Sequence, residues 1–86
     1  MFRKIVRVLN QSGLKLVKYK EDYPRYISAE NSDNINSITL IIKLLNFDDL
    51  IEIKLNPLQA LAEDFNEIEE LKITGNSNNY QVLLGV

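Results

Sequence analysis

The 86-residue chain contains no cysteine, no histidine and only three glycines. Without cysteine it forms no disulfide and no thiolate zinc site. Without histidine it lacks the commonest general base and the commonest metal ligand. The sequence also contains no glycine-rich phosphate loop and no nucleophile motif of the hydrolase type. We therefore expect a protein that is not an enzyme, with no catalytic residues, no cofactor and no bound metal.

Two weak candidates for chemistry remain in one short segment. Asp48 with Asp49 or Glu52 would be the local choice for a general acid and base. Asn46, Asp48 and Glu52 offer oxygen ligands to a metal, but their spacing lacks the glycine and the twelfth-position glutamate of a calcium loop. Aspartate is favoured in turns, so a solvated turn is the better interpretation.

Long hydrophobic runs are also missing. The longest spans residues 38–45 and is interrupted by Thr39 and Lys43, far short of the roughly 18 residues that a membrane-spanning helix needs. The N-terminal segment has charges within its apolar pattern and lacks the core of a secretion signal. We expect a single domain over residues 1–86, cytoplasmic and without membrane contact.

Two segments have the apolar spacing of a helix. The first is residues 2–12, where the apolar stripe consists of Phe2, Ile5, Val6 and Leu9. The second is residues 57–68, with Asn56 as N-cap, Pro57 at the first helical position and Gln59 completing a capping box. Its stripe consists of Leu58, Leu61, Ala62, Phe65 and Ile68.

The remaining segments alternate as strands do. Residues 38–45 are apolar on much of both faces, which predicts a central strand, and residues 50–55 return as its hairpin partner. The other predicted strands are 14–20, 25–29, 71–73 and 80–86. The sequence therefore predicts an α+β fold of order α-β-β-β-β-α-β-β, with a mostly antiparallel sheet packed against two helices. The expected core includes Leu40, Ile42, Ile53, Leu61 and Phe65.

Charge is unevenly distributed, although the net charge is only −2. Residues 1–25 contain seven basic and two acidic side chains, a net charge of +5. Residues 26–86 contain three basic and ten acidic side chains, a net charge of −7. The pattern indicates either two faces for different partners or two halves that attract each other within one fold.

An acidic cluster lies in residues 56–70, where no lysine or arginine occurs. On the predicted helix, three of its glutamates share one face, and like charges four residues apart slightly destabilise a helix. A solvated face that aids solubility is one explanation, and a basic partner is the other. The latter predicts a small non-catalytic protein–protein interaction module, acting as an inhibitor, regulator or accessory subunit. The residues presented to the basic partner protein would be Glu63, Asp64, Glu67 and Glu70.

The basic and aromatic segment 15–26 supports an alternative function, the binding of single-stranded nucleic acid. Such strands are held by a mixture of cations and aromatic stacking platforms. Glu21 and Asp22 interrupt the segment, and a sequence pI near 5.0 argues against a basic footprint of the whole domain. The candidate residues are Lys15, Lys18, Tyr19, Lys20 and Arg25.

Overall fold

The computed structural model describes the backbone of residues 5–11 and 15–86 and the side chains from Leu16 onward. This part of the chain forms strands and no helix. The strands are β1 (Ile5–Gln11), β2 (Lys15–Lys18), β3 (Tyr26–Asn31), β4 (Ile38–Leu44), β5 (Leu50–Leu55), β6 (Ala60–Asp64), β7 (Ile68–Gly75) and β8 (Tyr80–Gly85). The predicted α+β fold is therefore wrong, and the described chain is all-β.

The strands form two four-stranded sheets, with the orders β1-β8-β3-β6 and β2-β7-β4-β5. Every pair of neighbours is antiparallel. The two strand orders are aligned, because each position in the two sheets is held by strands that are adjacent in sequence: β1 and β2, β8 and β7, β3 and β4, and β6 and β5. Connections 32–37, 56–59 and 76–79 therefore arch from one sheet to the other, and we call the end where they lie the arch end.

The core lies between the inner faces of the two sheets. Its central strands are β3, β8, β4 and β7, and alternate residues along them are buried, as expected where a sheet has one face in the core. Burying one such aliphatic side chain stabilises the folded state by roughly 1.5–3 kcal/mol relative to leaving it exposed. The completely buried aliphatic residues include Ile27, Leu40, Ile42, Leu71, Ile73, Val82 and Leu84.

The first predicted helix, residues 2–12, is a strand wherever the structure describes it. Ile5–Gln11 pairs with β8 from Ile5↔Gly85 to Gln11↔Tyr80. The segment carries the β-branched residues Ile5, Val6 and Val8, which favour a pleated surface. A helix of this length is only marginally stable alone in water. As a strand, the segment instead forms backbone hydrogen bonds with β8.

The second predicted helix, residues 57–68, is interrupted at its first turn. Leu58 has a φ of 65°, and the Gln59 backbone N–H donates to the Asn56 carbonyl oxygen at 3.1 Å. Because Pro57 fixes a negative φ, this is a type II turn with leucine at the position that usually holds glycine. The Asn56 backbone N–H still donates to Gln59 Oε1 at 2.9 Å, so the capping-box bond exists without the helix. The chain then continues as β6 and pairs with β3.

The predicted hairpin of residues 38–55 is confirmed. β4 pairs with β5 from Ile38↔Leu55 to Lys43↔Leu50, and its other edge pairs with β7, so β4 is central as its two apolar faces indicated. Leu40 and Ile42 are completely buried. Three other residues predicted for the core are only partly buried because they lie on or beside the edge strands β5 and β6: Ile53, Leu61 and Phe65.

Substitutions at Leu40 and Phe65 distinguish the two-sheet sandwich from a helix docked on a sheet. We expect Leu40→Ala to lower the free energy of unfolding by ~2–5 kcal/mol, because it leaves a cavity between the sheets. Phe65→Ala should cost less than Leu40→Ala, because the ring is only partly enclosed. Urea unfolding of both variants measures the difference, and a larger loss for Phe65→Ala would contradict the sandwich.

Candidate functional site

An enclosed site is not present in the part of the chain described above. These residues line no cleft that would hold a small molecule, and they include no group of three side chains placed to bind a metal. The acidic segment considered for chemistry is an exposed turn and strand, since Asp48, Asp49 and Glu52 are all exposed. No helix of the described chain is long and apolar enough to cross a membrane. The candidate surfaces are therefore strand edges and sheet faces.

The predicted acidic face does not exist as one surface. Glu63 and Asp64 end strand β6 in one sheet, whereas Glu70 lies in β7 of the other sheet. Glu67 lies in the connection between these two strands. The helix that would have aligned these carboxylates is absent, and the four residues divide into two groups.

The carboxylates at the start of β7 face cations of this same chain. Glu70 is in register with Lys18 on one side and Lys43 on the other. A β-bulge makes Glu69 an extra residue between the pairs Lys43↔Glu70 and Leu44↔Ile68, and Lys43 Nζ lies 2.7 Å from Glu69 Oε1. This hydrogen bond raises the pKa of Lys43. Lys43 belongs to the acidic half of the sequence and Lys18 to the basic half, so the two halves meet here through Lys18 and Glu70.

A weaker pair joins Glu67 to the same basic half. Arg25 Nη2 lies 3.8 Å from Glu67 Oε1, and the two side chains are 63% and 43% exposed. Exposed pairs of this kind contribute roughly 0–1 kcal/mol. Glu67 therefore has a partner within the chain, although a loose one.

Glu63 and Asp64 lie on an open edge. Among the described strands, β6 pairs only with β3 and forms the edge of its sheet. Glu63 is in register with Ile27, which is completely buried, so Glu63 lies on the inner side of the sheet at its exposed margin. Inward-pointing charges on an edge strand are a common guard against unwanted strand pairing. We call β6 with these two carboxylates the acidic edge.

The core is incompletely covered beside the acidic edge. β5 and β6 hold the same outer position in the two sheets, and the inward residues between them pack against the core while remaining partly exposed. Their counterparts in the central strands, such as Leu40 and Leu84, are completely buried. The partly exposed apolar residues are Ile51, Ile53, Leu61 and Phe65.

The residues of the nucleic-acid alternative do not form a stacking platform. Only 6% of Tyr19 is exposed, and it belongs to the core. Lys18 faces Glu70 across the strand pair, and Lys20 is exposed beside Tyr23, whose hydroxyl donates to the Lys20 carbonyl oxygen. Arg25 is paired with Glu67 as described. Lys15 lies in β2, and its side chain is outside the described residues.

A buried asparagine at the arch end is a feature that the sequence pattern did not indicate. Residues 30–37 are polar except for Ile35, yet Asn31 is completely buried. Its Nδ2 donates to the carbonyl oxygens of Asn36, Leu55 and Asn56 at 2.9–3.3 Å. Its Oδ1 accepts from Ser77 Oγ at 2.7 Å. One side chain thus joins all three described arches. In the sequence, the only sign of this role is the abundance of asparagine in these loops.

Asp33 reinforces the same junction. One of its carboxylate oxygens accepts from the backbone N–H groups of Ile35 and Asn36, and the other from that of Asn78. These hydrogen bonds, led by the one from Asn36, lower the pKa of Asp33 to about 2. The ionised carboxylate therefore holds the first arch in shape and ties it to the third.

The Asp33 contacts predict an acid-sensitive arch end. A folded pKa below the unfolded value gives stability that is present above about pH 4 and is lost as the pH falls through 2. We expect the free energy of unfolding to decline over that window, and to decline less steeply in Asp33→Asn, which has no charge to lose. Denaturant unfolding at a series of pH values measures both slopes. Parallel slopes would contradict the assignment.

Comparison with known proteins gives no relative from which a function could be transferred, because no family model, characterised protein or solved structure matches the chain significantly.

Proposed function

We propose that the protein is a small non-catalytic protein–protein interaction module that binds an extended basic segment of a partner protein at the acidic edge. The observation that carries the proposal is the combination at β6 of an open strand edge, the carboxylates of Glu63 and Asp64, and an incompletely covered core. Inhibitors, regulators and accessory subunits act through such surfaces. The cytoplasmic location expected from the sequence stays a prediction.

Backbone pairing supplies the affinity in this mode of recognition. An extended segment that adds to a sheet edge forms backbone hydrogen bonds with the edge strand, here β6, and its alternate side chains reach the surfaces beside that strand. Apolar side chains of the partner would cover Leu61 and Phe65, which the fold leaves partly exposed. The gain from this burial is roughly 25 cal/mol per Å² of apolar surface.

Charge selects the partner. Glu63 and Asp64 would repel an acidic strand and attract a basic one. The same two carboxylates thus prevent unwanted strand pairing and set the specificity of the edge. This explains why Glu63 and Asp64 are adjacent in an edge strand. The acidic surface is thus smaller than the predicted helix face, and it lies on a strand.

A short synthetic peptide of alternating lysine and valine tests this function. We expect it to bind the full chain and to protect β6 backbone amides from hydrogen exchange, as seen by NMR. Glu63→Gln with Asp64→Asn should weaken binding by about tenfold, mainly through slower association. The matched control is Glu21→Gln with Asp22→Asn, an exposed pair of the same residue types, which should leave binding unchanged.

Three results would contradict the proposal: no binding of the lysine–valine peptide, equal binding of a glutamate–valine peptide, or protection elsewhere than β6. A labelled single-stranded oligonucleotide serves as a further probe. Salt-sensitive binding of the oligonucleotide through Lys20 and Arg25, with no peptide binding, would favour the nucleic-acid alternative instead.

A further inference from the structure

Charge is divided between the two sides of the sandwich. One side consists of the edge strands β1 and β2, which contain three cations and no acidic residue: Arg7, Lys15 and Lys18. The other side consists of β5 and β6, which contain three acidic residues and one cation: Glu52, Glu63, Asp64 and Lys54. The uneven charge of the sequence thus places only basic charged residues in the strands of one side, which we call the basic side, and mostly acidic ones in the strands of the other, which we call the acidic side.

Strand direction makes the two sides complementary as well. Each sheet has four strands in strict antiparallel alternation, and with an even number of strands the two edge strands of a sheet run in opposite directions. A second copy placed alongside in the same orientation therefore sets its β1 antiparallel to β6. It also sets its β2 antiparallel to β5, so both sheets continue with the pairing they already use.

We propose that the partner is a second copy of this chain, bound head to tail, with the basic side of one copy against the acidic side of the next. This inference rests on the proposed function, because it names the occupant of the acidic edge. The contact places Arg7 of β1 on the edge that meets Glu63 and Asp64. It also covers the partly exposed Ile53 and Leu61, which a lone chain leaves at the margin of its core.

The alternative pairings of two copies are opposed by charge. A two-fold contact of β6 with β6 brings two Glu63–Asp64 pairs together, and a contact of β1 with β1 brings two Arg7 residues together. Like charges opposite each other destabilise a strand pair. The head-to-tail contact is heterologous, so it extends from copy to copy into an open chain unless the rotation between copies closes a ring.

Two charge-reversal variants of the full chain test the inference. Glu63→Lys with Asp64→Lys removes the acidic edge, and Arg7→Glu with Lys15→Glu removes the basic one. In sedimentation velocity experiments we expect the wild type to associate more as its concentration rises and less as salt is added. Each variant alone should sediment as a monomer. An equimolar mixture of the two should associate again, because a basic edge then meets an acidic one.

The mixture also shows that both variants are folded, since only paired edges restore association. The milder change Glu63→Gln with Asp64→Asn should weaken self-association by about tenfold without abolishing it, and the control Glu21→Gln with Asp22→Asn should leave it unchanged. A wild type that stays monomeric, variants that associate as well as the wild type, or a mixture that stays monomeric would each overturn the inference.

The outcome is distinguishable from failure of the proposed function. If the wild type is monomeric but the lysine–valine peptide still binds β6, the head-to-tail inference fails and the acidic edge takes a different basic partner. If neither the second copy nor the peptide binds, both proposals fail.

Discussion

The hydrogen-bond cluster of Asn31 is the interaction on which the arrangement of the two sheets depends. A completely buried amide is costly unless its donors and acceptor are satisfied, and here its partners come from three separate arches. The Asn31 backbone N–H also donates to the Gln59 carbonyl oxygen at 2.9 Å. Because the arches are fixed to one point, the two sheets stay aligned. β1 and β2 then lie at one side of the sandwich, and β5 and β6 at the other.

The two sides of the sandwich follow from this alignment. β5 and β6 share one side, and β1 and β2 the other, only if the two sheets are aligned in this way. Charges that are far apart in sequence, such as Glu52 and Asp64, then lie on one side of the molecule. Lys18 and Lys43 lie near acids on a sheet face, where Glu70 lies between them, and Arg25 lies near Glu67. The fold thus matches part of the charge internally.

The sequence predicted the strands well where alternation was undisturbed. The hairpin of residues 38–55 and its central strand were identified because their period of two was clear and both faces of β4 were apolar. The helix at residues 57–68 was wrong because Ala60, Leu61 and Glu63 are strong helix formers, and because Pro57 suits the second position of a turn as well as the first turn of a helix. Pairing with β3 overrides that local preference, and no local pattern encodes it.

The candidate site was only partly predictable for the same reason. Glu63 and Asp64 are exposed, but their predicted grouping with Glu67 and Glu70 depends on helical geometry. Which carboxylates face a lysine depends on strand register, as with Lys43 and Glu69, 26 residues apart. The role of Asn31 depends on three loops meeting, which the order of residues in any one loop does not reveal.

Amide hydrogen exchange in Asn31→Ala tests the central claim most directly. Removing the side chain takes away its hydrogen bonds to all three arches, and each buried group left unsatisfied costs roughly 1–3 kcal/mol. If one side chain holds the arches together, the amides of all three described arches and the neighbouring ends of β5 and β6 should lose protection together. Loss of protection confined to residues 32–37 would contradict the account.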